Sequence, residues 1–202
     1  MPLSIQADAI RIALLKQFGG IWMDPDTIIT NGDFLKNLEQ YELVMIGENN
    51  EQHLGFIFAS NNSNIINHWF NEIIRRVKIV KHIEKIHKKR INVNWNYLGN
   101  EIIDKLLNKD INNKEFFRLD KKKLNAFPEL SFFANSTLNV IQKYKNFYFQ
   151  KGNANLIWKS VKGIIMLHNS WTPKKYKIMK EDEFFKEDIL LSQLLAKILY
   201  KN

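Results

Sequence analysis

The chain has 202 residues, enough for one domain or for one domain and part of another. Its 45% hydrophobic and 12% aromatic content can fill a packed core, and no apolar run approaches the ~18 residues that a membrane span needs. With no cysteine there is no disulfide framework or thiolate chemistry, and no charged start followed by an apolar stretch marks a secretory signal, so a cytoplasmic location is expected.

Residues 4–18, SIQADAIRIALLKQF, carry Ile10, Leu14 and Phe18 at the spacing of an amphipathic helix, with Ser4 as its cap and Gly19-Gly20 as its stop. IWM then reads as a short buried strand ending at Asp24. ELVMIG (42–47) and LGFIFAS (54–60) read as further strands, and NNSN after them suits a helix N-terminus. Ile65, Ile66, Trp69, Ile73, Val77, Val80, Ile83 and Ile86 keep helical spacing from about Asn64 to Arg90, as one long helix or two shorter ones.

INVNWNYLGN (91–100) is loop-like, EIIDKLLNK is a short helix, and FFRLDKKKLNAFPELSFF suggests extended segments with a turn at Pro128. KGIIMLHNSW is a strand running into a loop at His168. Residues 181–200 read as a C-terminal amphipathic helix whose acidic first turn suits the helix dipole. Strands alternating with helices predict an α/β layered domain, one unit over residues 1–202.

FGGIWMDPDTIIT (18–30) is the most site-like stretch. In extended backbone Asp24 and Asp26 would share a face, their Cα atoms roughly 6.5 Å apart, with Pro25 stiffening the pair. Two carboxylates that close repel unless a cation or hydroxyl donors share them, and Mg²⁺ or Mn²⁺ suits hard oxygen ligands. A plain surface turn, with Asp and Pro as turn formers, is the alternative. Asp8 and Arg11 stand one helical turn apart upstream, as a local salt bridge or as a clamp on a substrate.

ADAIRIALLKQFGGIWMDPDTI resembles the signature of metal-dependent, sugar-nucleotide-dependent glycosyltransferases of the GT-A type that carry an Asp-x-Asp motif. More narrowly, it is similar to the bacterial capsular-polysaccharide and mannosyltransferase-like group, with Trp22 where that group more often has Tyr. LGFIFASNNSNIINHW resembles the strand and helix after the motif, YLGN is similar to an acceptor-side loop, and LHNSWTP to a C-terminal segment that returns to the metal.

The resemblance implies an α/β, GT-A-like domain lacking the N-terminal strands that hold the nucleotide base; a sheet without them would expose an edge and apolar surface. It implies transfer of a hexose, with retention of configuration, from a nucleotide sugar to a surface glycan acceptor. Asp8, Arg11 and Asp24 would bind the donor, Ser170 and Trp171 would close over it, and Asp26 and His168 would hold the Mn²⁺ or Mg²⁺. Trp95, Tyr97 and Gly99 would face the acceptor.

Two other functions compete. WMDPDTI also fits the opening of a haloacid-dehalogenase-type phosphatase, for which Ser160 and Lys162 are nearby candidates, but no late aspartate pair follows an apolar strand. A fragment that binds a glycan or a partner without catalysis is the other. The net charge of +9 favours an anionic partner, although codon bias in an AT-rich genome would also raise lysine. KIVKHIEKIHKKR (78–90) reads as a solvated basic face on a packed helix, or else as a dock on the anionic inner face of a membrane. No nucleic-acid partner is expected. His53, His68, His82 and His87 show no metal-ligand spacing.

Overall fold

The computed structural model describes residues 1–48, 51–108, 115–124, 138–158 and 163–200. In chain order its elements are α1 (Leu3–Phe18), β1 (Gly20–Met23), β2 (Thr27–Ile29), β3 (Leu43–Glu48), β4 (Glu51–Ala59), α2 (Asn64–His87), α3 (Asn100–Leu107) and β5 (Phe116–Asp120). There follow α4 (Lys121–Leu124), α5 (Val140–Tyr148), α6 (Ala154–Trp158), β6 (Ile164–Met166), α7 (Lys174–Lys177), α8 (Glu181–Phe184) and α9 (Leu190–Leu199). The expected mixture of helices and strands holds, and the chain divides into two compact units: Met1–Asp24 with Asn37–Asp120, and Pro25–Lys36 with Lys121–Asn202.

The first unit is built on a mixed sheet of order β1-β4-β3-β5, antiparallel except for the parallel β3–β5 pair. Ile5, Ile12 and Leu15 of α1, Ile66, Trp69 and Ile73 of α2, and Ile102 and Ile103 of α3 pack against Met45 and Ile57. The Trp69 indole N–H donates to the Leu98 carbonyl at 3.0 Å, so the largest side chain of this core leaves no polar atom unmet. Helix α2 is a single 24-residue helix, capped by Ser63, whose hydroxyl accepts from the Ile66 N–H at 3.2 Å.

Three sequence expectations are corrected in this unit. Ile10, Leu14 and Phe18 are 54%, 41% and 64% exposed, and α1 presents Ile5, Ile12 and Leu15 to the core instead. The helix is apolar on more than one face, so spacing alone cannot say which stripe is inward. Ser4 lies within α1 and Pro2 takes the cap position, while Gly19 and Gly20, at φ 62° and 83°, do end the helix as expected. β1 is not buried: it is an outer strand of the sheet, with Ile21 47% and Met23 39% exposed.

The second unit pairs β2 and β6 antiparallel, Ile28 opposite Ile165. Tyr144, Phe147 and Tyr148 of α5, Ala154, and Ile189 to Leu191 with Leu194 close its core around Ile165. Residues 181–200 form two helices rather than one, because the chain leaves helical geometry between Phe185 and Ile189 and the Ser192 hydroxyl donates to the Ile189 carbonyl at 2.9 Å. Residues 116–120 are extended as read, residues 121–124 turn helical, and the turn expected at Pro128 lies outside the described residues.

Candidate functional site

The backbone leaves strand geometry at the aspartate motif. β1 stops at Met23, and Pro25 and Asp26 form a turn before β2, so the alternation that would put both carboxylates on one face does not operate. Asp24 belongs to the first unit and Asp26 to the second.

In the first unit, Asp8 and Arg11 are 7% and 6% exposed, on the inward side of α1. Arg11 uses both terminal nitrogens within the protein: one donates to the Leu54 carbonyl at 2.6 Å, the other to Asp24 Oδ1 at 3.2 Å. The Trp22 indole N–H donates to the same Asp24 oxygen at 2.8 Å, and the guanidinium stands 5.5 Å from the Trp22 ring centre. The Asp24 N–H donates to the Gly55 carbonyl at 2.9 Å, which fixes the end of β1. Asp8 Oδ1 is 3.8 Å from Arg11, an ion-pair distance beyond a good hydrogen bond.

Burial pushes the Asp8 carboxyl up to about 6, Arg11 opposing and the Asp24 charge assisting that rise. The Arg11 Nε is buried with no hydrogen-bond partner among the described residues. An ordinary core does not keep a carboxyl that titrates near neutrality beside an unmet guanidinium N–H.

Gly99 forms a wall of this cluster. A Cβ at that position would lie 2.7 Å from Asp8 Oδ2 and 2.6 Å from Leu54 Cδ1, so close approach, not backbone angle, requires glycine there. Tyr97 instead serves α2: its carbonyl accepts from Arg76 at 2.6 Å, and its ring centre lies 4.9 Å from that guanidinium. Trp95 is 67% exposed. A cavity of about 440 Å³ between α2 and α3, lined in part by Glu72, Arg75, Arg76 and Lys105, includes none of the expected site residues.

In the second unit the Leu167 N–H donates to the Asp26 carbonyl at 2.9 Å, extending the β2–β6 ladder to the strand that delivers His168. The His168 ring lies 4.0 Å from the Trp171 ring, and Tyr144 meets both edge-on at 5.6 and 5.4 Å. The His168 carbonyl accepts from the Trp171 N–H, the Thr172 N–H and the Thr172 hydroxyl, which folds the HNSWT segment back on itself. Ser170 is exposed.

Tyr144 is the residue that sequence reasoning missed. Its hydroxyl accepts from the His168 N–H at 3.0 Å and lies 3.4 Å from Thr172 Oγ1. Burial raises its pKa, and the Asp26 charge raises it further, so Asp26 and Tyr144 feel one another. The signal lay nearby: Asn139 and Gln142 form a capping box that starts α5 and so positions Tyr144.

A family profile matches residues 2–151, which contain Asp8, Arg11, Asp24, Asp26 and the 95–99 loop. The chain belongs to the capsular polysaccharide synthesis protein family. Membership places this family member in capsular polysaccharide synthesis, and the matched stretch ends before His168. No curated protein and no solved structure matches the chain.

No group of three or more His, Asp or Glu side chains able to hold a metal ion occurs among the described residues. Asp26 and His168 offer one carboxylate and one imidazole from adjoining parts of the same ladder. The carboxylate is a hard oxygen donor of the kind Mg²⁺ or Mn²⁺ takes, and such an ion would draw most of its ligands from substrate phosphates and water. Ser160 and Lys162, the candidates for a phosphatase site, lie outside the described residues.

Proposed function

We propose that this family member is a glycosyltransferase of GT-A type, moving a hexose from a nucleotide sugar to a growing capsular or lipo-oligosaccharide-type glycan. The observation that carries this reading is the Asp8–Arg11–Asp24 cluster, with Asp8 and Arg11 buried and Asp24 partly exposed, within the stretch that the family profile matches. One buried and one partly exposed carboxylate facing a guanidinium are suited to sugar hydroxyls, which both donate and accept hydrogen bonds. Asp8 and Asp24 hold the donor sugar in this reading, and Arg11 fixes Asp24 by a hydrogen bond while facing Asp8 at 3.8 Å.

Asp26 and His168 hold the divalent ion, which would neutralise charge on the departing nucleoside diphosphate. Trp171 packs against the His168 ring at 4.0 Å with the planes tilted by 30°, and Tyr144 fixes the backbone beneath it. Ser170, exposed on the same turn, is free to approach the diphosphate. Trp95 supplies an exposed aromatic face for the acceptor sugar, with Tyr97 and Gly99 shaping the loop that carries it.

Isothermal titration with a panel of nucleotide sugars, with and without Mn²⁺, tests the reading on the wild type, Asp26→Ala and Asp24→Asn. Binding that needs Mn²⁺ and is lost in Asp26→Ala is expected. Binding indifferent to metal and to both substitutions would overturn the assignment.

A further inference from the structure

We infer that the C-terminal third of α2 is a docking surface for an anionic lipid bilayer. The inference is independent of the sugar-transfer reading and rests on how charge and exposed apolar surface are distributed.

Lys78, Lys81, Lys85, Lys88, Lys89 and Arg90, opposed only by Glu84, leave five of the chain's nine net positive charges within residues 78–90. All six cations are exposed, and none forms an ion pair among the described residues. Elsewhere on α2, Arg75 and Arg76 are bound to Glu72 at 2.6 and 2.9 Å. The basic end is therefore charged and uncompensated, whereas the middle of the helix is not.

The core releases α2 at this point. Val80 is its last buried residue, and beyond it Ile83 is half-buried and Ile86 is 61% exposed. Ile79, 39% exposed, stands seven residues before Ile86, so the two share a face. Lys78, His82 and Lys85 fall beside that line at spacings of four and seven, giving an apolar ridge flanked by cations. After Arg90 the chain folds back, the Ile91 N–H donating to Glu84 Oε1 at 3.1 Å, so Lys88, Lys89 and Arg90 gather at the helix tip.

Charge alone would suit any polyanion. Isoleucines presented among the lysines give nothing to a nucleic-acid or polysaccharide backbone, and the rings within residues 78–90 are the imidazoles of His82 and His87, with no Phe, Tyr or Trp to serve as a base-stacking platform. They do suit a headgroup layer, where apolar side chains enter the acyl boundary while lysines remain at the phosphates. No described helix is long and apolar enough to cross a membrane, so the contact is one of lying against the surface.

The test is co-sedimentation of the 202-residue chain with phosphatidylcholine vesicles, with and without phosphatidylglycerol. Binding is expected only to the anionic vesicles. Each Lys→Gln change at 81, 85, 88 or 89 should weaken it about five-fold, and Ile86→Ser about ten-fold. Every substituted side chain is exposed, and an unchanged circular-dichroism melt verifies folding. Poly-uridylate serves as the competing polyanion. No binding to anionic vesicles, equal binding to neutral ones, or tighter binding to poly-uridylate with Ile86→Ser without effect on the vesicles would each overturn the inference.

Discussion

Asp8→Asn should make the protein more stable at neutral pH, and the gain can be worked from the structure. Asp8 is 7% exposed, and its carboxyl is raised from 3.8 to about 6, chiefly by burial. Between those two values the folded chain keeps a proton that the unfolded chain has already lost. Stability from this group is therefore full below 3.8, falls as pH rises, and is spent above about 6. At about 1.4 kcal/mol per pH decade, the interval amounts to about 3 kcal/mol. The Arg11 attraction is already contained in it, because about 6 is the value with Arg11 in place.

Asparagine has the shape of the protonated side chain and carries no charge at any pH. Asp8→Asn should thus melt roughly 6–12 °C above the wild type at pH 8, for a chain of this size, with the difference closing toward pH 4. Thermal melts followed by circular dichroism from pH 4 to pH 8 measure it. Equal melting at pH 8, or a variant that melts lower, would mean that ionised Asp8 is a net stabilising partner of Arg11. Donor binding should fall in the same variant, because the lost charge is the one assigned to the sugar.

Gly99→Ala should cost about 1–3 kcal/mol in urea unfolding, because the new Cβ would meet Asp8 Oδ2 and Leu54 Cδ1 at 2.7 and 2.6 Å; adding Leu54→Ala should recover part of that loss. Ile12→Ala should cost about 2–5 kcal/mol, whereas Ile10→Ala, at a 54% exposed position, should stay within about 0.5 kcal/mol. Equal effects would restore the reading in which the Ile10 stripe faces the core. Asn139→Ala should lower stability by about 1 kcal/mol through loss of the α5 cap, with the second unit's Tyr144–His168 contacts loosening in near-ultraviolet circular dichroism.

The long periodic elements were legible because burial imposes their spacing. Ile65, Ile66, Trp69 and Ile73 lie where the 3.6-residue repeat requires, and Ser63 caps the helix they define. α1 misled because Leu3, Ile10, Leu14 and Phe18 form as good a stripe as Ile5, Ile12 and Leu15. The inward side of α1 also carries Asp8 and Arg11, which look like solvent residues in the sequence, yet Arg11 is held inside by the Leu54 carbonyl and Asp24. β2, three residues long, exists through its pairing with β6, a partner more than 130 residues away that no local pattern announces.

The site residues were legible in kind and only partly in arrangement. A carboxylate pair separated by proline reads as one stiff strand end, yet Pro25 and Asp26 turn, and each aspartate finds its own company: Asp24 with Arg11 and Trp22, Asp26 beside Leu167 and Tyr144. That difference bears on function. A core needing only to pack between Leu54 and Gly99 would be more stable with an apolar residue at position 8, since a buried ion pair seldom outweighs the desolvation of its charges. Arg11 cannot relieve the burden, because its short contacts go to Leu54 and Asp24 while Asp8 stays 3.8 Å away. A carboxyl retained at such a cost, its pKa raised to about 6 and next to an unmet Arg11 Nε, is organised for a ligand rather than for the fold.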